Sequence, residues 1–414
     1  MTERLYYRDS FLYEFDAEVL EIVSASDSDP RTAIILDRTA FYPTSGGQVF
    51  DTGTILAAGT AAPQLCIAEV AERDDGTILH ILQEAAPVLK GSRVRGLIDP
   101  ERRRDHMQQH SGQHVLSAAF VRLFDMPTVS FHMGADYCSI DLDTKSLNLK
   151  QVEAGEALAN EVVQENRPVE IRFVTQEEAR GLGLRKLPPV QKDELRLIDI
   201  RDFDLTACGG THVQGTAQIG CILLRKTEKA RQRWRVEFVC GKRAVSTARR
   251  DYTTLSDAAG ALSTHLWDVP QQIQKLQEES RTSRKAREQL HEELASLHAE
   301  RMLSETQEIG GRKIITRTFP DRDLSFIKLL AQKVTRQSPS AVALLAVTSA
   351  QPALAFAQSP GQPFDMGALM KEALAKLGGR GGGSKDMAQG GPSQVEAIEA
   401  TLHEIAARLR TLSS

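Results

Sequence analysis

Residues 101–124, ERRRDHMQQHSGQHVLSAAFVRLF, carry two patterns in one segment. Leu116, Ala119, Phe120 and Leu123 fall at i, i+3, i+4 and i+7, the spacing of one apolar helix face. His110 and His114 are four residues apart, so on that helix both imidazoles project from one face, a turn from each other. At about 100° per residue this face lies roughly opposite the apolar stripe. The segment predicts a helix lying between a core and a cleft. His106 stands one turn before the pair. A His-x3-His pair alone has a plain alternative, since histidines are also simply buried or solvated.

A second pair changes its meaning. ACGGTHV (207–213) places Cys208 and His212 four residues apart, with Gly209 and Gly210 between them allowing a tight turn. One thiolate and three imidazoles match the donor types and coordination number of zinc, and argue against magnesium or calcium. The alternative for Cys208 is a small buried hydrophobe in a glycine turn. Four protein ligands ordinarily make a closed structural site, whereas a catalytic zinc keeps one position for water or substrate. The spacing is compatible with both.

Outward from these motifs the chain reads as four pieces. Residues 1–95 read as β: AEVLEIV (17–23), TAIILD (32–37) and SRVRGLID (92–99) alternate or run apolar between turn-forming clusters, as in a small sandwich or barrel. A helix over 150–166 stops before Pro168, EIRFV (170–174) is a strand, and the pattern is β again over 195–240. After Pro270 a broken heptad seam of Ile273, Leu276, Leu290, Leu294 and Leu297 predicts an exposed helix or helical hairpin. Strand-like AVALLAVTSA and PALAFAQS then precede a helix over 366–377, a glycine-rich loop and a closing helix from Ser393. The expected architecture is α+β: a β-barrel-like domain (1–95), an α+β metal-containing domain (96–250), a helical spacer (251–308) and a small C-terminal α/β domain (309–414).

Composition bounds the function. In 414 residues, 51 Lys and Arg face 55 Asp and Glu, which excludes an overall basic nucleic-acid binder and an acidic disordered chain. Residues 225–250 nevertheless hold ten Lys or Arg against two Glu, a local net charge of +8. Arg231, Arg233 and Arg235 alternate with Gln232, Trp234 and Val236, so a strand would present the arginines on one face. With Lys242 and Arg243 they are the candidate phosphate-binding surface, which Arg102, Arg103 and Arg104 would extend toward the metal motifs; a solvated strand face is the alternative. Five scattered cysteines suit a reducing compartment, and neither a signal peptide nor an apolar run of membrane-spanning length is evident. The expected location is the cytoplasm.

Several of these segments together resemble one family. HSGQH (110–114) and CGGTH (208–212) resemble the two zinc-binding motifs of the alanyl-tRNA synthetase editing domain, shared with free-standing editing proteins of the AlaX type. FYPTSGGQVFDTG (41–53), QIGCILL and RWRVEFVCGKRAV resemble segments flanking those motifs, and GGRGGGSKDMAQGG (378–391) resembles the signature of the synthetase C-terminal domain. With the helical spacer, the chain resembles the long form of that type.

The resemblance implies hydrolysis of a wrong amino acid, serine chiefly and glycine as well, from mischarged alanine tRNA. It assigns His110, His114, Cys208 and His212 as ligands of one Zn2+. It places Gln113, where many relatives have Thr, and Gln48 of SGGQ in the substrate pocket; for Gln48 the alternative is a turn residue. It gives the tail, with Gly381, Gly382, Gly383 and Lys385, to tRNA binding. The aminoacylation domain of a synthetase has no counterpart before the β unit, so no ATP requirement is expected. A homodimer through the spacer or the C-terminal domain is a further expectation. The competing reading is a tRNA-binding protein with a structural zinc and no hydrolytic activity.

Overall fold

The strand Glu14–Ser24 (β1) alternates exposed and buried positions, sending Phe15, Ala17 and Val19 inward. That period of two lets one face close over a core. Five further strands join it: Thr32–Leu36 (β2), Gly53–Ala57 (β3), Gln64–Glu72 (β4), Ile78–Leu82 (β5) and Arg93–Ile98 (β6). In the computed structural model, which describes residues 2–26, 28–57, 64–84, 89–185 and 194–411, they close into a barrel in the order β1-β2-β5-β4-β3-β6. Val19, Ile34, Phe41, Ile55, Val70 and Ile78 fill it.

Asp99 then caps a helix, Pro100–Phe124 (α1), accepting from the amides of Glu101 and Arg102, with Pro100 at its first turn. Asp125, in a left-handed conformation, ends it. The predicted helix is present, but its surroundings differ from those expected. From His106 to Phe120 every residue except Gln108 is buried, whereas Leu123 is exposed. The histidine face is therefore packed, because a second layer covers it. That layer contains Thr128–Met133 (β7), Cys138–Leu142 (β8), Leu149–Gln164 (α2), Val169–Thr175 (β9), Gln176–Gly181 (α3), Glu194–Ile200 (β10) and Asp204–Ala207 (β11). It continues through Ile222–Ala230 (β12), Arg233–Cys240 (β13) and the helix Gly241–Ala261 (α4). The strands form two antiparallel sheets, β12-β13-β8-β7 and β9-β10-β11. Gly155 lets α2 lie on Phe120, since a Cβ there would sit 2.9 Å from the ring.

The chain divides into two compact units, Met1–Asp257 and Ala258–Ser414. In the second, Val269–Glu305 (α5) is one helix of 37 residues. It is more than a spacer. Ala295, Ala299, Met302 and Leu303 are buried in a core with Ile327 and Leu330, while Ile273, Leu276, Leu290 and Leu297 stay exposed. Lys313–Phe319 (β14), Leu324–Gln337 (α6), Ala341–Val347 (β15), Ala353–Gln358 (β16), Met366–Leu377 (α7), Gly379–Gly383 (β17), Met387–Pro392 (β18) and Ile398–Thr411 (α8) complete it. The mixed sheet β14-β15-β16-β18-β17 lies between two helical layers. Ala343 and Leu345 face α5 and α6, whereas Leu344 and Ala346 face α7 and α8. Burial on both faces explains the uninterrupted apolar run of β15.

One expectation is corrected here. The glycine-rich segment is a strand of this sheet, with Gly381 opposite Gly390 and Gly383 opposite Ala388. Glycine is needed because α7 lies on the hairpin: a Cβ at Gly381 would approach Leu374 Cδ1 to 2.6 Å. Among the described residues no helix is long and apolar enough to cross a membrane.

Candidate metal centre

Helix α1 delivers His110 and His114 from successive turns, and the loop after β11 delivers Cys208 and His212. One potential ligand atom from each lies within 4.8 Å of all the others. Cys208 Sγ is 3.4 Å from Nε2 of His110 and 3.3 Å from Nε2 of His212. Donors about 2.0–2.3 Å from a common tetrahedral centre would stand roughly 3.3–3.7 Å apart, and both of these sulfur–nitrogen distances fall in that range.

Two of the imidazoles are hydrogen-bonded through their other nitrogen, and the third faces a carboxylate at ion-pair distance. Gln48 Oε1 lies 2.8 Å from Nδ1 of His110, Ser111 Oγ 3.1 Å from Nδ1 of His212, and Asp204 Oδ2 3.4 Å from Nδ1 of His114. A ring whose Nδ1–H is held by an acceptor offers the lone pair of Nε2 to an ion. The ligand loop is held as firmly. Its amides at Thr211, His212 and Val213 donate to Gln48 Oε1, Ser10 Oγ and Ser111 Oγ, and that of Gly210 to Cys208 Sγ. Arg196 donates Nη1 to the Cys208 carbonyl at 2.6 Å and Nε to that of Tyr7 at 2.8 Å. Phe131 stacks on His110, with ring centroids 5.4 Å apart.

The electrostatics agree with a cation site. Burial alone would push the Cys208 thiol up, but the imidazoles of His110 and His212 hold it well below its usual range. Burial and the neighbouring imidazoles keep His212 neutral, although the thiolate opposes them. Asp204 is held below the usual carboxylate range by His114 and Arg185, against the effect of burial. The donor set is one thiolate and three imidazoles, buried together and oriented inward. It fits zinc and lacks the oxygen donors that magnesium or calcium would require.

The two glutamines separate in role. Gln48 was expected in the substrate pocket, but it is fully buried with both ends of its amide engaged. Oε1 meets His110 and the Thr211 amide, and Nε2 donates to Thr211 Oγ1 at 2.8 Å. Its amide is spent on His110 and the ligand loop. Gln113 is buried between the ligand turns, and its Nε2 donates to Ser117 Oγ. Its Oε1 accepts no hydrogen bond among the described residues. Gly210 answers a different need from the tight turn expected of it: a Cβ there would lie 2.1 Å from Cε1 of His110. His106 is not part of the cluster; its Nδ1 lies 4.0 Å from Asp51 Oδ1. Burial, then Arg102, Arg243 and Arg103, push it down to about 3.

Asp204, Ser111, Ser10 and Arg196 are absent from the set that sequence spacing picks out. Only two carried a local signal: Ser111 lies inside HSGQH, and Asp204 lies four residues before Cys208.

Family models match three segments: tRNA synthetases class II (A) over residues 2–102, the threonyl and alanyl tRNA synthetase second additional domain over 195–237, and the DHHA1 domain over 311–411. The alanyl-tRNA editing protein AlaX-L of Pyrococcus horikoshii is 32% identical over 412 residues, covering 98% of each chain. This chain belongs to the alanyl-tRNA editing protein family. The alanine–tRNA ligase of Pyrococcus furiosus is 29% identical, and the match spans 98% of this editing-family chain but 43% of the ligase. The C-Ala domain from Aquifex aeolicus alanyl-tRNA synthetase matches 26% of this chain and 98% of its own, at 17% identity and a TM-score of 0.24.

In this editing-family protein the basic segment is only partly free. Arg231, at φ +59°, lies in the two-residue turn between β12 and β13 and not on the strand face expected for it. With Arg233 and Arg235 it surrounds a depression of about 560 Å³. Arg235 is paired with Asp141 through two hydrogen bonds, Arg243 with Asp105, and Lys242 with Glu101. Arg103 is buried completely, clamped on Asp51 and on the carbonyls of Ser10 and Ala40. It ties the barrel to α1 and presents nothing to a ligand.

Proposed function

We propose that the protein hydrolyses the ester of mischarged alanine tRNA, seryl-tRNA(Ala) chiefly and glycyl-tRNA(Ala) as well, releasing the amino acid and free tRNA. One observation carries this reading. Family membership over nearly the whole chain coincides with an assembled cluster of three histidines and one cysteine, with His110 and His212 anchored by Gln48 and Ser111. The activity answers a physical need, because an apolar pocket shaped for alanine discriminates only about 100-fold against an added hydroxyl.

His110, His114, Cys208 and His212 would hold one zinc ion per chain, supplying positive charge beside the ester or a fixed point for the RNA end. Hydrolysis adds water to the ester carbonyl and expels the ribose oxygen. In this chain Gln48, Ser111 and Asp204 hold the ligand imidazoles in register. Gln113 Oε1, unclaimed inside the cluster's helix, accepts from the hydroxyl of serine, a bond that alanine cannot offer. Arg231 and Arg233, at the hairpin end, with Lys242, Arg243, Arg235 and the C-terminal Gly381, Gly382, Gly383 and Lys385, make up the tRNA-binding set. The partly paired members contribute through their remaining N–H groups. The reaction takes place in the cytoplasm without ATP, and the exposed apolar residues of α5 support a homodimer.

A second reading has its own support. Four protein donors complete a tetrahedron, as a structural zinc would require, in a tRNA-binding protein without hydrolytic activity. The deciding assay follows serine release from seryl-tRNA(Ala), with alanyl-tRNA(Ala) as control, using zinc-loaded protein. Selective release supports the hydrolase. Release no faster than the uncatalysed reaction leaves the second reading.

A further inference from the structure

A cavity of about 790 Å³ opens between the first turns of α1 and α4. Its α1 wall is Glu101, Arg104, Asp105 and Gln108, at i, i+3, i+4 and i+7, so one helix face lines it. Its α4 wall repeats that logic with Lys242, Arg243, Ser246, Thr247 and Arg250. The local charges sort into two groups. Glu101 is paired with Lys242, and Asp105 with Arg243 through both carboxylate oxygens. Arg102 donates Nε to the Phe50 carbonyl, leaving its two amino groups. Arg104 and Arg250 are exposed, and their side chains make no ion pair or hydrogen bond among the described residues. Against these three guanidinium groups stands one lining acid outside those pairs, Asp136.

We propose that this cavity cradles phosphates of the double-stranded end of an RNA whose single-stranded tip reaches the metal centre. The inference rests on the tRNA reading above and assigns that partner a surface. The chemistry of the lining supports it. Guanidinium forks and the hydroxyls of Ser246 and Thr247 are donors suited to phosphodiester oxygens, and rigid helices hold them. The salt bridges at Asp105 and Glu101 position α4 against α1 without consuming Arg104 or Arg250.

Placement supports it as well. At about 100° and 1.5 Å per residue, the cavity face of α1 lies roughly opposite the His110 and His114 face, and about 9 Å from Arg104 to His110 along the axis. A stiff duplex cannot occupy both faces of one helix. A duplex end in the cavity, with a few flexible nucleotides passing around α1, can.

The test uses full-length protein and an uncharged RNA hairpin carrying a single-stranded 3′ end, so it needs no hydrolysis. The double variant Arg104→Gln/Arg250→Gln should raise Kd about tenfold or more. It should also lower the slope of log K against log salt by roughly 1.8, or about 0.9 for each phosphate no longer neutralised. Arg249→Gln, on α4 but outside the cavity lining, should change neither as much. Unaltered metal content and thermal midpoint in the double variant would show that the fold is kept. An unchanged Kd and slope would overturn the proposal. So would equal weakening by Arg249→Gln, or competition by micromolar inorganic phosphate, which would mark a small-anion site. None of these results depends on whether the protein releases serine.

Discussion

Gln48 is 62 residues from His110 in sequence and 2.8 Å from it in space, and its replacement tests whether the metal centre is built as described. Gln48→Ala removes the acceptor from His110 Nδ1 and strands two groups of Thr211. These are an amide that donates to Oε1 at 3.1 Å and a hydroxyl that accepts from Nε2 at 2.8 Å. A buried donor left without a partner costs about 1–3 kcal/mol. Loss of a residue that orients a metal-bound imidazole lowers metal affinity about 10–100-fold, or ~1.4–2.7 kcal/mol. The assay is chelator competition for zinc, repeated with cobalt, whose absorption reports the thiolate–imidazole set directly. Gln48→Ala should weaken both ions and alter the cobalt spectrum. Gln48→Glu retains an acceptor for His110 and for the Thr211 amide, so it should recover most of the affinity. If Gln48→Ala binds metal as tightly as wild type while KM for seryl-tRNA rises, Gln48 meets the substrate and the positioning argument is wrong.

Gly210→Ala should displace the His110 ring and cost about 1–3 kcal/mol through overpacking, with loss of metal. Gly209→Ala, whose Cβ would lie 3.4 Å from the Tyr7 hydroxyl, should keep the metal; equal metal content in both variants would refute the close-approach argument. Gln113→Leu should lower kcat/KM for seryl-tRNA(Ala) about tenfold and leave glycyl-tRNA(Ala) unchanged, and an unaltered ratio would remove Gln113 from serine recognition. His80 is fully buried between Thr39 Oγ1 and the Ile34 carbonyl, and burial pushes it down to about 4 from 6.5. The unfolded chain therefore binds the extra proton first. Stability from this group is complete above pH 6.5 and is lost as pH falls to about 4, amounting to ~3 kcal/mol. His80→Gln should flatten that part of the stability profile, and an unchanged acid slope would show that other groups set it.

The four potential metal ligands were legible because each pair is local: His-x3-His on a helix and Cys-x3-His in a glycine turn announce themselves by spacing. The apolar alternation of β1 and the continuous buried runs of β2 and β15 were legible for the same reason, since period two and continuous burial are written into adjacent residues. Their supports were not. Gln48 and Asp204 reach their imidazoles through tertiary packing, and nothing in the period of a strand or helix marks a residue that will stand behind a ligand. The glycine run is ambiguous in sequence because a flexible loop and a strand pressed against a helix call for the same residue. Only the position of Leu374 over Gly381 and Gly390 distinguishes them.

The charged segment shows why a sum over sequence differs from a surface. The net +8 of residues 225–250 counts cations whose partners lie far away along the chain: Asp141 is 94 residues from Arg235, and Asp105 is 138 from Arg243. Once those pairs form, the groups still able to meet a phosphate are set by which cations the fold leaves unanswered. On that criterion Arg231 and Arg233 stay free of ion pairs at the β12–β13 turn, Lys242 and Arg243 offer only the N–H groups that their salt bridges leave over, and Arg104 joins Arg250 across a cavity. Arg104 lies outside the basic segment altogether. The groups able to meet a polyanion therefore come from α1, α4 and the β12–β13 turn, and their availability is a property of packing.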